Sequence, residues 1–181
     1  PRRRLDISIK EDLIEEVGRI YGVDNIEGKL PVLPVKQGSY DKQTREIRNK
    51  MVSLGLNETL SMIFTSDKEA KKYTTDDFEV VKLLDPLAEE RNALRYSLIP
   101  SMVKIYEYNK ARENKDVCIF EIGKGFYKKQ EEYGENQKIV ALMTGKYYLG
   151  VGNSANVDFY VIKGVVEELL NFLGYENRYT I

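Results

Sequence analysis

Four acidic side chains near the start of the chain have the types and spacing to do chemistry: Asp6, Asp12, Glu15 and Glu16. If residues 11–21 form a helix, a rotation of ~100° per residue places the last three on one face. Clustered carboxylates without histidine or cysteine suit a hard cation such as Mg²⁺. From spacing alone a solvated helix face is the favoured explanation, because acidic residues in a first helical turn are favoured by the helix dipole. Spacing alone leaves both interpretations open.

Composition excludes several classes of protein. The chain contains no histidine, which removes the usual general base near neutral pH and any Ser-His-Asp or Cys-His arrangement within it. The single cysteine, Cys118, lies in an apolar run and is expected to be a small buried hydrophobe. With 28 Lys and Arg against 29 Asp and Glu, the balanced charge argues against an RNA-binding module. No stretch approaches the ~20 apolar residues of a membrane span, so we expect a cytoplasmic protein without membrane contact.

Hydrophobic periodicity predicts the elements that must position these residues. We expect a half-buried strand at 5–9, a helix at 11–21 and then a Gly- and Pro-containing linker. The later elements are helices at 40–54, 66–73, 97–112 and 157–173, and strands at 58–64, 79–84, 117–127 and 138–144. The stretches 128–137 and 145–156 are predicted to be connections. Because the links between strands are short for parallel crossovers, this order favours an α+β domain with an antiparallel sheet flanked by helices.

Four stretches of the chain resemble, in order, segments of one known family. They are residues 4–26, residues 85–87 with 94–100, residues 119–123, and residues 157–159 with 163–167. The family is the β subunit of bacterial phenylalanine–tRNA ligase. The first stretch is similar to the end of its B5 domain, and the others to the class II synthetase-like core that follows.

This resemblance implies a domain organisation. Residues 1–27 correspond to the C-terminal part of B5, residues 28–38 to a linker, and residues 39–181 to the class II synthetase-like, non-catalytic core, truncated at its C-terminus. The chain is therefore expected to be part of a longer polypeptide.

The resemblance also implies a site and partners. In the family, four acidic residues with this spacing bind Mg²⁺ in a site shared with the α subunit, and they match Asp6, Asp12, Glu15 and Glu16. The α subunit uses ATP to charge tRNA(Phe) with phenylalanine. This part of the β subunit is expected to pack against it within an (αβ)₂ heterotetramer, and to be inactive alone.

The residues present agree with a non-catalytic role. Catalytic class II synthetases carry, on one strand, an arginine whose planar fork grips the ATP phosphates. Residues 120–123 contain no arginine, and the nearby Lys124 is a point charge that does not replace the fork. The Gly-rich segment ending in arginine is also missing, and 145–152 is not a P-loop. We therefore assign no catalytic and no cofactor-binding residue. The alternative is a stand-alone class II synthetase paralogue acting on a small amino acid or carboxylate, which should carry both motifs.

Two further groups of residues have open assignments. Arg91 and Arg95 could face tRNA or a partner subunit, but we expect a structural role. The tyrosines could mark an interface; the candidates are Tyr106, Tyr108, Tyr147 and Tyr148.

Overall fold

The chain forms two compact units, Pro1–Tyr40 and Asp41–Ile181. The computed structural model describes residues 4–36, 38 and 40–180. The division falls just beyond the predicted linker at 28–38, and the assignment of each part to a domain stays a prediction.

The described residues form five α-helices and seven β-strands. In chain order they are α1 (Lys10–Tyr21), α2 (Gln43–Ser53), β1 (Asn57–Glu58), β2 (Phe64–Thr65), α3 (Asp67–Ala70), β3 (Ala93–Leu94), α4 (Ile99–Lys110), β4 (Val117–Lys129), β5 (Glu132–Thr144), β6 (Lys146–Gly150), β7 (Asn153–Asn156) and α5 (Phe159–Phe172). Single 3₁₀ turns lie at Val23–Asn25 and Glu89–Arg91.

The first unit is built around α1. The helix ends at Gly22, whose φ of 93° and N–H bond of 2.9 Å to the Gly18 carbonyl close the last turn. Glycine adopts this left-handed conformation without a Cβ penalty, so the helix stops where the sequence predicts. None of the residues of α1 is buried.

The strand predicted at 5–9 is wrong. These residues form turns and bends that lead into α1. The Asp12 carboxylate accepts hydrogen bonds from the Ser8 and Ile9 backbone N–H groups, which a strand would need for its neighbour. No strand is present in the described part of the first unit, so a strand at 5–9 would have no partner strand within that part.

The second unit is organised by a three-stranded sheet in the order β1-β4-β5. β4 and β5 pair antiparallel over their whole length, from Val117↔Thr144 to Lys129↔Glu132. β1 pairs in parallel with β4, through Asn57↔Ile119 and Glu58↔Phe120. The sheet is therefore mixed, because the segment between β1 and β4 contains α4 and is long enough for a crossover.

The hairpin of β4 and β5 is longer than predicted. Residues 128–137, expected to be a polar connection, continue both strands and leave only Gln130 and Glu131 at the turn. Gln130 takes a φ of 55° there. Residues 128–137, which we call the extended arm, have little apolar patterning, since backbone pairing rather than burial stabilises them.

The smaller pairings also differ from the predictions. The predicted strand at 58–64 is divided between β1 and β2, and β2 pairs antiparallel with β3. The segment 79–84 makes only isolated bridges, at Glu79↔Lys128 and Lys82↔Ala93. The predicted connection 145–156 contains the hairpin of β6 and β7.

Helices cover both faces of β4. Met51 of α2 and Val165 and Leu169 of α5 pack with Leu56 and Phe120. On the other face, Met102 of α4 packs with Val117 and Ile119. Successive strand residues point to opposite faces, so one strand serves both clusters. The predicted α+β architecture is present. None of the described helices is both long and apolar enough to cross a membrane.

Candidate functional site

The four acidic residues lie at and just before the start of α1. Asp6 is in the turn that precedes the helix, while Asp12, Glu15 and Glu16 are on the helix itself. Asp6 and Glu15 are exposed, and the side chain of Glu16 is about three-quarters covered, with 24% exposed. Asp12, Glu15 and Glu16 thus lie on the predicted helix, whereas Asp6 lies in a turn and not in the predicted strand.

Arg4 connects two of these carboxylates. Its Nε lies 2.9 Å from Asp6 Oδ1, and its Nη2 lies 2.7 Å from Asp6 Oδ2 and 3.0 Å from Glu16 Oε1. The second oxygen of Glu16 accepts from Arg19 Nη2 at 2.7 Å. Two guanidinium groups therefore occupy both oxygens of Asp6 and both of Glu16.

Asp12 has a different set of partners. Its Oδ2 accepts from the backbone N–H groups of Ser8 at 2.7 Å and Ile9 at 2.9 Å. These are unpaired donors at the N-terminus of α1, so Asp12 stabilises the helix start. Hydrogen bonds from Ile9 and Ser8 lower the pKa of the Asp12 carboxyl.

The arginines keep the other two carboxyls ionised. The hydrogen bond from Arg4 lowers the pKa of Asp6 to about 2. Hydrogen bonds from Arg4 and then Arg19 lower the pKa of Glu16 to about 2. Both residues are negatively charged throughout the physiological range, and their charge is already matched by cations of the chain.

In this arrangement the four residues do not fit a metal site. Among residues 4–36, 38 and 40–180, no three or more histidine, cysteine, aspartate or glutamate side chains form a group that could hold a metal ion. The oxygens of Asp6 and Glu16 are taken by arginine and one oxygen of Asp12 by the backbone. The magnesium assignment stays a prediction.

In the second unit, two of the segments that resemble the family meet in a buried ion pair. Arg95 Nη1 lies 2.7 Å from Glu121 Oε1, and the two side chains are 6% and 2% exposed. Ser61 Oγ accepts from Arg95 at 2.6 Å and donates to the other oxygen of Glu121 at 2.6 Å. Arg95 Nε donates to the Lys124 carbonyl at 3.0 Å. The structural role expected for Arg95 is confirmed, whereas Arg91 is exposed.

Two glycines of β4 make room for the segment that carries Arg95. A Cβ on Gly123 would overlap the Arg95 guanidinium and lie 2.9 Å from Leu98 Cδ2. A Cβ on Gly125 would overlap the Tyr96 carbonyl. Residues 95–98 therefore lie directly against β4, and substitution of either glycine requires them to move.

Sequence reasoning assigned no role to Glu121 or Ser61. A signal for Glu121 was present, since a carboxylate inside the apolar run 117–122 must find a partner when buried. Which cation pairs with it is not visible in the sequence, because Arg95 lies far away along the chain. The role of Ser61 could not be predicted, because a single serine in a strand-like segment does not indicate a buried partner.

A second polar group surrounds Tyr96, at an open depression of about 400 Å³. The Tyr96 hydroxyl donates to Asp76 at 2.5 Å, which raises the pKa of Tyr96 to about 12. Phe78 stacks on its ring at a centroid distance of 3.7 Å, and Lys138 Nζ lies 4.4 Å from the ring centre. These groups satisfy one another, and a tyrosine with this pKa is a poor general base. The arrangement supports packing rather than a reaction.

Comparison with known proteins decides the family. The sequence profile described as "Phenylalanyl tRNA synthetase beta chain CLM domain" matches residues 26–181. The chain belongs to this family. The matched range contains the Arg95–Glu121 pair and lies wholly beyond Asp6, Asp12, Glu15 and Glu16.

Curated members of the family extend the similarity to almost the whole chain. The phenylalanine–tRNA ligase β subunit of Geobacillus kaustophilus is 36% identical over 185 residues, which are 98% of this chain and 23% of that protein. The β subunit of Bacillus cereus is 39% identical over 189 residues, which are 99% of this chain and 23% of that protein. The chain thus spans about a quarter of the length of the curated relatives it matches.

Solved structures confirm the class II synthetase-like fold. A pyrrolysyl-tRNA synthetase of Desulfitobacterium hafniense, PylSc, superimposes with a TM-score of 0.54 at 15% identity, covering 74% of this chain and 44% of that one. A crystal structure of pyrrolysyl-tRNA synthetase from the same organism gives a TM-score of 0.53 at 15% identity, covering 74% and 46%. At this identity the likeness concerns the fold alone.

Within the family assignment, two cations close to Glu121 are already paired with carboxylates. Lys124, the nearest cation on the strand, pairs with Glu135 of β5. Arg95 is already paired with Glu121. The family match favours a β-subunit segment over a stand-alone synthetase paralogue.

Proposed function

We propose that this chain is a non-catalytic assembly part of the phenylalanine–tRNA ligase β subunit. In this role it packs against the catalytic α subunit within an (αβ)₂ heterotetramer in the cytoplasm. It thereby supports the ATP-dependent charging of tRNA(Phe) with phenylalanine, and the α subunit binds the ATP. The observation that carries the proposal is the β-chain match over residues 26–181.

Exposed aromatic side chains support packing against a partner. At the start of α5, Phe159 and Tyr160 are 62% and 76% exposed and contact each other edge to face at 5.7 Å. We name these two residues the α5 patch. Tyr160 also lines, with Tyr147, a shallow depression of about 260 Å³. Aromatic residues are enriched at protein interfaces, where they bury large areas.

The four tyrosines considered from sequence differ in exposure. Tyr148 and Tyr108 are 62% and 59% exposed and remain candidates for an interface. Tyr147 is anchored within the chain, since its hydroxyl donates to the Leu54 carbonyl at 2.5 Å. Tyr106 is partly buried beside α4's apolar cluster.

The first experiment tests assembly. The full-length β subunit is co-expressed with its α subunit, as wild type and as Phe159→Ala/Tyr160→Ala, and complex formation and phenylalanylation are measured. Both residues are exposed, so their truncation should change the stability of the chain by less than about 0.5 kcal/mol. We expect weaker assembly and a matching loss of charging. Tyr133→Ala, which removes a 71% exposed ring elsewhere, is the control.

The outcomes separate the two parts of this proposal. If no complex forms with any α subunit, the β-subunit assignment fails. An intact complex in the double variant would retain the assignment and remove the α5 patch from the interface.

We further propose that Asp6, Asp12, Glu15 and Glu16 hold Mg²⁺ in the assembled enzyme, with ligands shared by the α subunit. Carboxylate oxygens are the donors that Mg²⁺ prefers. The test compares wild type with Asp12→Asn and Glu15→Gln across a Mg²⁺ titration of assembly. Asn at position 12 keeps an acceptor for the backbone of Ser8 and Ile9, so a raised Mg²⁺ requirement would reflect the lost charge. An unchanged requirement in both variants would leave these residues as a solvated helix face.

A further inference from the structure

A short stretch after α1 has a backbone that its own sequence restricts. Residues 30–36, which we call the proline segment, read Leu-Pro-Val-Leu-Pro-Val-Lys, and each leucine precedes a proline. Proline fixes its own φ at about −65°, and the residue before a proline is restricted to extended backbone. Both leucine–proline steps are therefore held in or close to the polyproline II conformation by covalent geometry alone.

The described backbone agrees with this conformation. Residues 28–36 belong to no helix or strand, and none of them has a positive φ. None of them forms a hydrogen bond or an ion pair with another residue that the structure describes. A polyproline II helix likewise has no internal hydrogen bonds, and its backbone is solvated. The segment is therefore available as a preformed, extended ligand.

The apolar side chains of the proline segment are open to solvent and fall on separate ridges. The four large ones are 68–100% exposed: Leu30, Val32, Leu33 and Val35. Polyproline II repeats every three residues, so the two leucines lie on one ridge and the two valines on another. Lys36 extends the leucine ridge by one more turn. Two apolar–proline steps three residues apart have the shape that grooves lined by aromatic side chains recognise.

We propose that the leucine ridge of the proline segment docks in an aromatic-lined groove, edged by carboxylates, on the α subunit. This inference rests on the proposed function and adds a second contact to it, separate from the α5 patch. Residues 28–36 carry two lysines, Lys29 and Lys36, and no carboxylate, so the complementary surface is acidic. Because proline has already restricted the backbone, docking loses little conformational entropy, and a small contact contributes useful affinity.

The test measures the affinity of full-length β subunit for the α subunit by analytical ultracentrifugation at several salt concentrations. Wild type is compared with Leu30→Ser/Leu33→Ser, which removes the leucine ridge. Val32→Ser/Val35→Ser removes exposed apolar side chains from the other ridge of the same segment and is the matched control. Lys36→Glu reverses the charge at the end of the leucine ridge. Circular dichroism confirms that each variant is folded, and all four residues substituted to serine are exposed.

We expect the leucine variant to bind about tenfold more weakly or worse, as truncation of interface anchors does, and the valine variant to stay within about twofold of wild type. Lys36→Glu should also bind more weakly, with a difference that shrinks as salt rises. Equal effects of the leucine and valine variants, or tighter binding of Lys36→Glu, would overturn the proposal. A wild-type complex that the leucine variant does not weaken rejects this contact and retains the proposed function. If wild type forms no complex with the α subunit, both are rejected.

Discussion

Removal of one member of the Arg95–Glu121 pair should be far more costly than removal of both. The two side chains are 6% and 2% exposed, so water cannot solvate the charge that stays behind. Leaving one buried charge unpaired costs about 3–5 kcal/mol, a large part of the ~5–15 kcal/mol that stabilises a typical domain. We expect this loss for both Arg95→Met and Glu121→Leu.

The double variant should recover most of the loss. Arg95→Met/Glu121→Leu leaves no buried charge, only the Ser61 hydroxyl and the Lys124 carbonyl with fewer partners. Each of these groups costs at most about 1–3 kcal/mol, and both are only part-buried, so water can reach them. The double variant should therefore be more stable than either single variant, with a strong coupling in the double-mutant cycle.

The measurement is urea unfolding of the four proteins, followed by circular dichroism at a fixed pH. Native spectra at zero urea confirm that each variant folds. Additive losses, within about 0.5 kcal/mol, would refute the argument that the two charges depend on each other for burial.

Three further changes test other parts of the structure. Gly125→Ala should destabilise the chain by about 1–3 kcal/mol because the new Cβ meets a backbone carbonyl. Gly164→Ala, in open space on α5, should stabilise the chain by up to ~1 kcal/mol. Urea unfolding measures both free energies, and equal effects would contradict the close approach at Gly125. Asp158→Ala should lower the stability by about 0.5–2 kcal/mol, since Asp158 Oδ1 accepts from the Val161 N–H at 2.9 Å and caps α5. Asp158→Asn keeps an acceptor and should cost much less. Equal melting temperatures for the two variants would show that this cap does not stabilise α5. The pKa of Glu16 is lowered to about 2, so the Glu16 carboxylate contributes stability above the unfolded pKa and loses that contribution as the pH falls toward 2. A ¹³C titration of the Glu16 carboxyl measures this pKa. A midpoint near the ordinary value for glutamate would show that Arg4 does not pair with Glu16.

The parts of the fold that depend on local signals were predictable. The helices α1, α2, α4 and α5 have apolar periodicity and clear ends, such as Gly22 and Gly174, both with positive φ. The extended arm of β4 and β5 was missed because backbone pairing holds residues 128–137 without an apolar stripe. The parallel pairing of β1 was missed since its partner strand lies far along the chain.

In the candidate site too, contacts within one helix were predictable and contacts between separate segments were not. Helical geometry placed Asp12, Glu15 and Glu16 together, and the structure has them on α1. The role of Arg4 was not predictable from spacing, because it depends on how the turn before α1 folds back toward Glu16. The Glu121–Arg95 pair likewise needs the contact between β4 and residues 95–98.

The parallel pairing of β1 with β4 also sets an order of events during synthesis. Asn57 pairs with Ile119, about sixty residues later in the chain. At about 5–20 residues per second, a ribosome delivers that partner roughly 3–12 s after β1. Until then Met51 and Leu56 have no Phe120 to cover them. The nascent chain thus leaves the apolar residues Met51 and Leu56 without their strand partner for seconds.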